Sequence, residues 1–269
     1  PQMVLLAGAK PVFVEATIEQ DFKITPAQLE AAITERTRAL ILCSPSNPTG
    51  SVYCATELAA LAEVLRRHEQ VTVISDEIYE HINYVGAHAS IASLPDMKER
   101  TVVINGVSKA YAMTGWRIGF SAAPLALAKA MNKLQGQYTS GPCSVSQMAA
   151  VAAFSGPQEC VEEMRQAFLR RKNLIVDLTR QIPGLEVNDP HGAFYLFPKC
   201  SSYFGKTDGK HVINSSSDLA LYLLEEGHVA TVGGDAFGSP ECFRMSYATS
   251  DENIVEAIRR IKEALSRLK

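Results

Sequence analysis

The chain has 269 residues, 46% hydrophobic and 20% charged, which excludes a disordered or fibrous polypeptide and supplies the apolar volume for one large domain or two smaller ones. Its 26 basic and 29 acidic residues leave a formal charge of −3 with both signs dispersed, so there is no electrostatic footprint for nucleic acid or an anionic membrane. No apolar run reaches the roughly 18–20 residues that a membrane-spanning helix needs. The six cysteines (Cys43, Cys54, Cys143, Cys160, Cys200, Cys242) lie far apart without a C-x-x-C pair, and read as reduced core thiols of a cytoplasmic protein. The chain starts at Pro1-Gln2 without an initiator Met and without the charged-then-apolar order of a signal peptide, and a preceding segment is expected.

The first two-thirds alternate short β-branched runs with amphipathic stretches, the pattern of a mostly parallel sheet covered by helices. Strands are predicted at Met3 to Ala7, Pro11 to Glu15, Ala39 to Cys43, Val71 to Ser75, Thr101 to Ile104 and Arg117 to Ser121. Thr25-Pro26-Ala27-Gln28 opens a helix with an N-cap, Pro at N1 and Gln at N3, and Thr56-Glu57 opens another that runs to about His68. Val71 to Ile74 and Thr101 to Ile104 lack alternation, as expected of strands buried on both faces. After about Ser155 the texture changes to a long charged-faced helix from Pro157 to about Gln181, a helix near Asp218 to Glu226, two short strands and a closing helix over Asp251 to Leu268. In that last helix Ile254, Ile258, Ile261 and Leu265 form one apolar stripe. Ser201 to Ser217 is polar and predicted to be an exposed loop.

Four segments carry candidate chemistry. Lys109, in Ser108-Lys109-Ala110-Tyr111-Ala112-Met113-Thr114-Gly115-Trp116-Arg117, follows a buried strand, and ligands of open α/β sheets bind outside the carboxyl ends of strands. A lysine there suits Schiff-base chemistry when desolvation or a cationic neighbour lowers its pKa, and Arg117 offers that charge and a fork for a phosphate. Asp76 ends the apolar run Val71 to Ser75; it reads either as the partner of a protonated heteroaromatic nitrogen or as the N-cap of a helix after the strand, with Tyr79 one turn on. Asn47 sits in the turn Ser44-Pro45-Ser46-Asn47-Pro48-Thr49-Gly50 just past another strand. Arg244 interrupts the apolar strand Cys242 to Tyr247 and calls for an anion, from the protein or from a substrate. The six histidines have no metal-site spacing, and neither a GxGxxG turn, a GxxxxGK[ST] loop nor a GxSxG elbow occurs.

Asn47-Pro48-Thr49-Gly50, Asp76-Glu77-Ile78-Tyr79, Ser108-Lys109 with Thr114-Gly115-Trp116-Arg117-Ile118-Gly119, Gly192-Ala193-Phe194-Tyr195 and Phe243-Arg244-Met245-Ser246 occur in an order that resembles the class I/II pyridoxal-phosphate aminotransferases, the aspartate aminotransferase superfamily of fold type I. The resemblance covers nearly the whole chain and is closest in style to prokaryotic aspartate aminotransferases. It implies an α/β large domain with a mostly parallel sheet, N-terminally truncated, over residues 1–160, and a smaller C-terminal α+β domain over 161–269. It implies pyridoxal 5'-phosphate as cofactor and amino-group transfer between an L-amino acid, aspartate-type favoured, and a 2-oxo acid such as 2-oxoglutarate. The implied setting is a cytoplasmic homodimer without nucleic-acid or membrane partners.

Position by position, Lys109 resembles the lysine that forms the Schiff base with the cofactor and shuttles the substrate proton. Asp76 resembles the carboxylate that keeps the ring nitrogen protonated, and Tyr79 with Asn47 the pair that binds the ring hydroxyl oxygen. Arg117 resembles the phosphate-binding arginine, with Ser108 a second phosphate contact, and Arg244 with Asn47 resembles the grip on the substrate α-carboxylate. Many relatives have a serine three residues before the lysine where this chain has Gly106, so phosphate contacts are expected from elsewhere. The Gly-rich phosphate loop, the ring-stacking aromatic, a tyrosine reaching across the dimer and the side-chain selectivity residues are expected in the preceding segment, and the 269 residues alone are expected to hold cofactor poorly. Rival readings are a PLP-dependent β-lyase or synthase on the same fold, a non-catalytic aminotransferase-like binding module, and more distantly a nicotinamide-dependent dehydrogenase.

Overall fold

The computed structural model describes residues 1–269. Helix α1 (Gln2–Leu6) and α2 (Pro26–Ala32) precede the strand β1 (Ala39–Cys43); α3 (Ala55–Arg66) leads to β2 (Thr72–Asp76), and β3 (Thr101–Gly106) and β4 (Gly119–Ala122) come next. These strands form one sheet in the order β1-β2-β3-β4, with β1, β2 and β3 parallel and β4 antiparallel to β3. The register sets Cys43, Asp76 and Ile104 abreast, so the carboxyl ends of the three parallel strands are level. The segments holding Asn47, Tyr79 and Lys109 therefore all leave the sheet at one edge.

Local chemistry explains the elements. Thr25 Oγ1 accepts from the Gln28 N–H at 3.2 Å while Gln28 Oε1 accepts from the Thr25 N–H at 2.8 Å, the expected capping box. Helix α3 starts one residue earlier than its Thr56-Glu57 signal, with Glu57 Oε2 accepting from the Cys54 N–H, and buries Leu58, Leu61, Ala62, Val64 and Leu65. Those side chains cluster with Leu42, Val71 and Val73 on one face of the sheet.

The remaining chain runs through α4 (Leu125–Tyr138), α5 (Ser144–Ser155), α6 (Glu159–Thr179), β5 (Tyr195–Leu196), α7 (Ser216–Gly227), β6 (Val232–Gly233), β7 (Phe243–Ser246) and α8 (Asp251–Ser266). A second, antiparallel sheet has the order β5-β7-β6. Its core combines Phe168, Ile175 and Val176 of α6 and Leu219, Tyr222 and Leu223 of α7 with the predicted stripe Ile254, Ile258, Ile261 and Leu265 of α8. Asp251, in the first turn of α8, accepts from Arg170 and Arg171, which ties the N-terminus of α8 to the middle of α6.

Several expectations are corrected. Met3 to Ala7 is not a strand but part of a single helical turn, and Pro11 to Glu15 is irregular. Neither segment pairs with a strand of either sheet, and Val12 and Phe13 are exposed. The central strands are not evenly buried on both faces: β2 alternates buried and half-buried residues. Arg117 and Ile118 precede β4 rather than belong to it, since Arg117 takes a left-handed conformation with φ 56°. The loop after Ser201 is anchored by buried Tyr203 and Ile213 and by reciprocal backbone bonds between Thr207 and Lys269. All six cysteines are free; Cys200 and Cys242 are core residues, while Cys54, Cys143 and Cys160 are exposed. No helix is long and apolar enough to cross a membrane.

Candidate active site

Lys109 lies three residues past β3, in a turn closed by the bond from the Ala112 N–H to the Lys109 carbonyl. Its half-buried side chain places Nζ 5.7 Å from the ring centroids of both Tyr79 and Phe194. Aromatic walls of this kind shield an amine from water on two sides.

Asp76 occupies the last position of β2. Its Oδ1 accepts from the Ile78 N–H at 3.2 Å in a short turn, and no helix comes after it to be capped. Burial pushes its carboxyl above the usual carboxylate range, the Ile78 N–H pulls it down, the neighbouring Glu77 charge pushes it up, and Lys109 lowers it. A half-buried carboxylate whose only hydrogen bond comes from a backbone amide is suited to a cationic ligand atom. Beside it on β1, burial and then the Asp76 charge push the Cys43 thiol up to about 12, which keeps it neutral.

Tyr79 is buried, and its hydroxyl lies 2.9 Å from that of Tyr195. Burial, and after it the bond to Tyr195, hold this phenol well above the usual range, so it stays protonated and able to donate. Glu77 points away from Asp76 into a buried network, where Ser75 Oγ at 2.8 Å, Ser90 Oγ at 2.7 Å and His88 Nε2 at 2.8 Å surround its carboxylate.

Asn47 and Arg244 come together: an Arg244 guanidinium N–H donates to Asn47 Oδ1 at 2.9 Å. The Arg244 guanidinium carbon lies 4.6 Å from the Tyr195 ring centroid and 4.9 Å from that of Phe237. Arg244 thus has aromatic flanks and an amide acceptor but no carboxylate contact, which leaves its fork available to an anion.

Close backbone contact holds Asn47 in place. Gly50, with φ +70°, accepts at its carbonyl from the N–H groups of His191 at 2.8 Å and Gly192 at 2.9 Å. A Cβ on Gly50 would lie 2.4 Å from Pro190 Cβ, and one on Gly192 2.7 Å from Pro45 Cβ. The two glycines let the Asn47 turn lie against the segment that delivers Phe194 and Tyr195.

Arg117 is exposed, and its guanidinium donates to the Thr114 carbonyl at 2.8 Å; Ser108 is half-buried beside Lys109. At Gly106 a Cβ would meet the Ile118 carbonyl oxygen at 2.8 Å, so a side chain there would require the Ile118 segment to shift. The structure therefore gathers Lys109, Asp76, Tyr79, Asn47 and Arg244 around one crevice, with Arg117 on a separate turn of the Lys109 segment. The sequence alone assigns no role to Phe237, Tyr195 or the Glu77–His88 pair. Tyr195 stands within the Gly192-Ala193-Phe194-Tyr195 motif, whereas nothing local marks His88 or Phe237, whose partners are distant in sequence.

The sequence model for "Aminotransferase class I and II" matches residues 1–261. An aspartate aminotransferase of Geobacillus stearothermophilus is 51% identical over 263 residues, covering 97% of this chain and 66% of the relative. A bifunctional aspartate aminotransferase and glutamate/aspartate-prephenate aminotransferase of Petunia hybrida is 49% identical over 274 residues, covering 100% of this chain and 57% of the relative. Among solved structures, the aspartate aminotransferase of Rhizobium meliloti superposes with a TM-score of 0.94 at 46% identity, covering 99% of this chain and 68% of that one. The chain thus spans between 57% and 68% of the length of these three relatives.

Proposed function

The chain belongs to the class I and II aminotransferases, and from that premise we propose that its protein transfers an amino group between an L-amino acid, aspartate-type favoured, and a 2-oxo acid such as 2-oxoglutarate, using pyridoxal 5'-phosphate. The observation that carries the reading is the convergence of an aromatic-walled lysine, a half-buried carboxylate without a cationic contact, and an arginine fixed by an amide at one crevice. These residues fit the cofactor. Lys109 would hold its aldehyde carbon, Asp76 its ring nitrogen, Tyr79 and Asn47 its ring hydroxyl, and Arg117 with Ser108 its phosphate. When bound, pyridoxal phosphate supplies a carbonyl that captures the amino group and a ring that accepts the electron pair left by the departing α-proton.

The chain's own residues do the rest. Asp76, ionised opposite a positive ring nitrogen, keeps that nitrogen protonated through attraction in a site of reduced dielectric. Tyr79, held neutral by burial, donates its hydroxyl proton to an oxyanion without giving it up. Arg244, steadied by Asn47 and its aromatic flanks, grips the α-carboxylate and so orients the α-proton toward Lys109. Lys109 Nζ then takes that proton and returns it, with Phe194 and Tyr79 excluding water on two sides.

A cytoplasmic homodimer completes the proposal. Exposed apolar side chains Leu134, Tyr138, Met148 and Val151 on α4 and α5 support a second copy as cover, and the six free thiols support a reducing compartment. Two separate sheets, each with its own principal apolar cluster, support a division near residue 160. The test is borohydride treatment of the full-length protein with pyridoxal phosphate, followed by peptide mapping, alongside formation of glutamate from L-aspartate and 2-oxoglutarate. Label on Lys109 with stoichiometric 2-oxo acid supports the reading; label elsewhere, or release of ammonia in place of transfer, refutes it.

A further inference from the structure

Tyr195 touches both halves of the crevice. It stands in β5, buried to 6% exposure, with its hydroxyl 2.9 Å from the Tyr79 hydroxyl and its ring centroid 4.6 Å from the Arg244 guanidinium carbon. The Phe194 ring centroid, 4.7 Å away, and the strand pairing of Tyr195 with Ser246 leave the Tyr195 side chain little room to turn. We propose that Tyr195 is a positioning residue that carries the substrate-binding Arg244 on its ring and orients the Tyr79 hydroxyl with its own, coupling the carboxylate grip to the cofactor-facing phenol.

The inference rests on the aminotransferase reading, and its two arms are separable in chemistry. A guanidinium lying near an aromatic ring is held electrostatically and sterically without consuming its N–H donors, so those donors stay aimed at a carboxylate. A phenol that accepts one hydrogen bond becomes a stronger donor through its own O–H. Either hydroxyl of the pair can donate; once Tyr79 turns its proton to a bound oxyanion, the Tyr195 hydroxyl is left as the donor.

The test compares Tyr195→Phe and Tyr195→Leu in the full-length, cofactor-loaded protein, reading two equilibrium quantities. One is the Kd for succinate, a dicarboxylate with no amino or keto group to react; the other is the pH midpoint of the bound cofactor's absorbance band. Y195F keeps the ring and is expected to bind succinate within about twofold of wild type while its midpoint rises by about 0.3 pH unit, because Tyr79 holds an oxyanion less firmly. Y195L removes the ring and is expected to bind succinate about tenfold more weakly. Succinate binding by Y195L equal to wild type overturns the ring arm, and an unmoved midpoint in Y195F overturns the hydroxyl arm. Where Y195L yields no folded protein, Y195F alone decides, since either an unmoved midpoint or a loss of succinate affinity with the ring intact contradicts the assignment. Wild-type protein that forms no absorbing adduct on Lys109 overturns the aminotransferase reading itself, whereas a wild-type adduct with both variants unchanged overturns the Tyr195 inference alone.

Discussion

The Arg244 guanidinium donates to Asn47 Oδ1 at 2.9 Å, joining two residues 197 positions apart, one on a strand of the C-terminal sheet and the other just past the first strand of the parallel sheet. Removal of the fork in Arg244→Ala is expected to lower kcat/KM for aspartate by about 10²–10³-fold, mostly through KM, while Asn47→Ala costs about tenfold. Arg244→Lys should restore little, because an ammonium offers no planar pair of donors to a carboxylate. Steady-state kinetics with both substrates checks this, and full activity in R244K would remove Arg244 from substrate binding.

Lys109 makes no ion pair in the structure and only flanks the Tyr79 and Phe194 rings, so its side chain contributes little to folding. Lys109→Ala is therefore expected to unfold within about 1 kcal/mol of wild type. Its turnover should fall by about four orders of magnitude or more, since the roles proposed for Lys109, covalent anchor and proton carrier, would both be lost. Urea denaturation and coupled turnover assays test the two halves separately; a variant that still transaminates at the wild-type rate excludes Lys109 from the chemistry.

Separation along the chain decides how much of this molecule is legible in its sequence. β1 over Ala39–Cys43, the Thr25 capping box and the α8 stripe were legible because each depends on residues a few positions apart. Lys109, Asp76, Asn47 and Arg244 were legible one by one from their places at strand ends or within a strand. The contact between Asn47 and Arg244, the Tyr79–Tyr195 bond and the Glu77–His88 pair depend on how the chain comes back on itself, and no local pattern records that. Met3 to Ala7 shows the converse failure. Its apolar composition suits a strand, yet without a neighbouring strand to complete the ladder it folds as a helical turn with Met3 and Leu6 exposed.

Gly50 bears directly on Asn47, three residues earlier. Gly50→Ala places a methyl 2.4 Å from Pro190 Cβ on a backbone with φ +70°, so both steric crowding and left-handed strain act together. A loss of about 3 kcal/mol in unfolding free energy is expected. Because the relief of that clash must move either the Asn47 turn or the segment leading to Tyr195, KM for aspartate should rise as well. Chemical denaturation and kinetics on the same preparation check the pair, and wild-type stability in G50A would contradict the close approach.

Asp76 sets function against stability. In cofactor-free protein, burial raises its carboxyl pKa above the unfolded value, so the folded state holds the proton more tightly than the unfolded chain. The group's contribution is therefore most favourable in acid, declines as pH rises from the unfolded toward the folded pKa, and stays unfavourable at neutral pH. Asp76→Asn, uncharged throughout, should make the cofactor-free protein at least as stable as wild type at neutral pH, with the difference vanishing toward acid. The same substitution should lower the rate of amino transfer by several orders of magnitude, because an amide cannot keep a ring nitrogen protonated. Urea midpoints across the acid-to-neutral range test the first statement and single-turnover kinetics the second. A cofactor-free D76N protein markedly less stable than wild type at neutral pH would mean that the ionised carboxylate already has a stabilising partner within the fold, and would remove the argument that Asp76 is held for a cationic ligand.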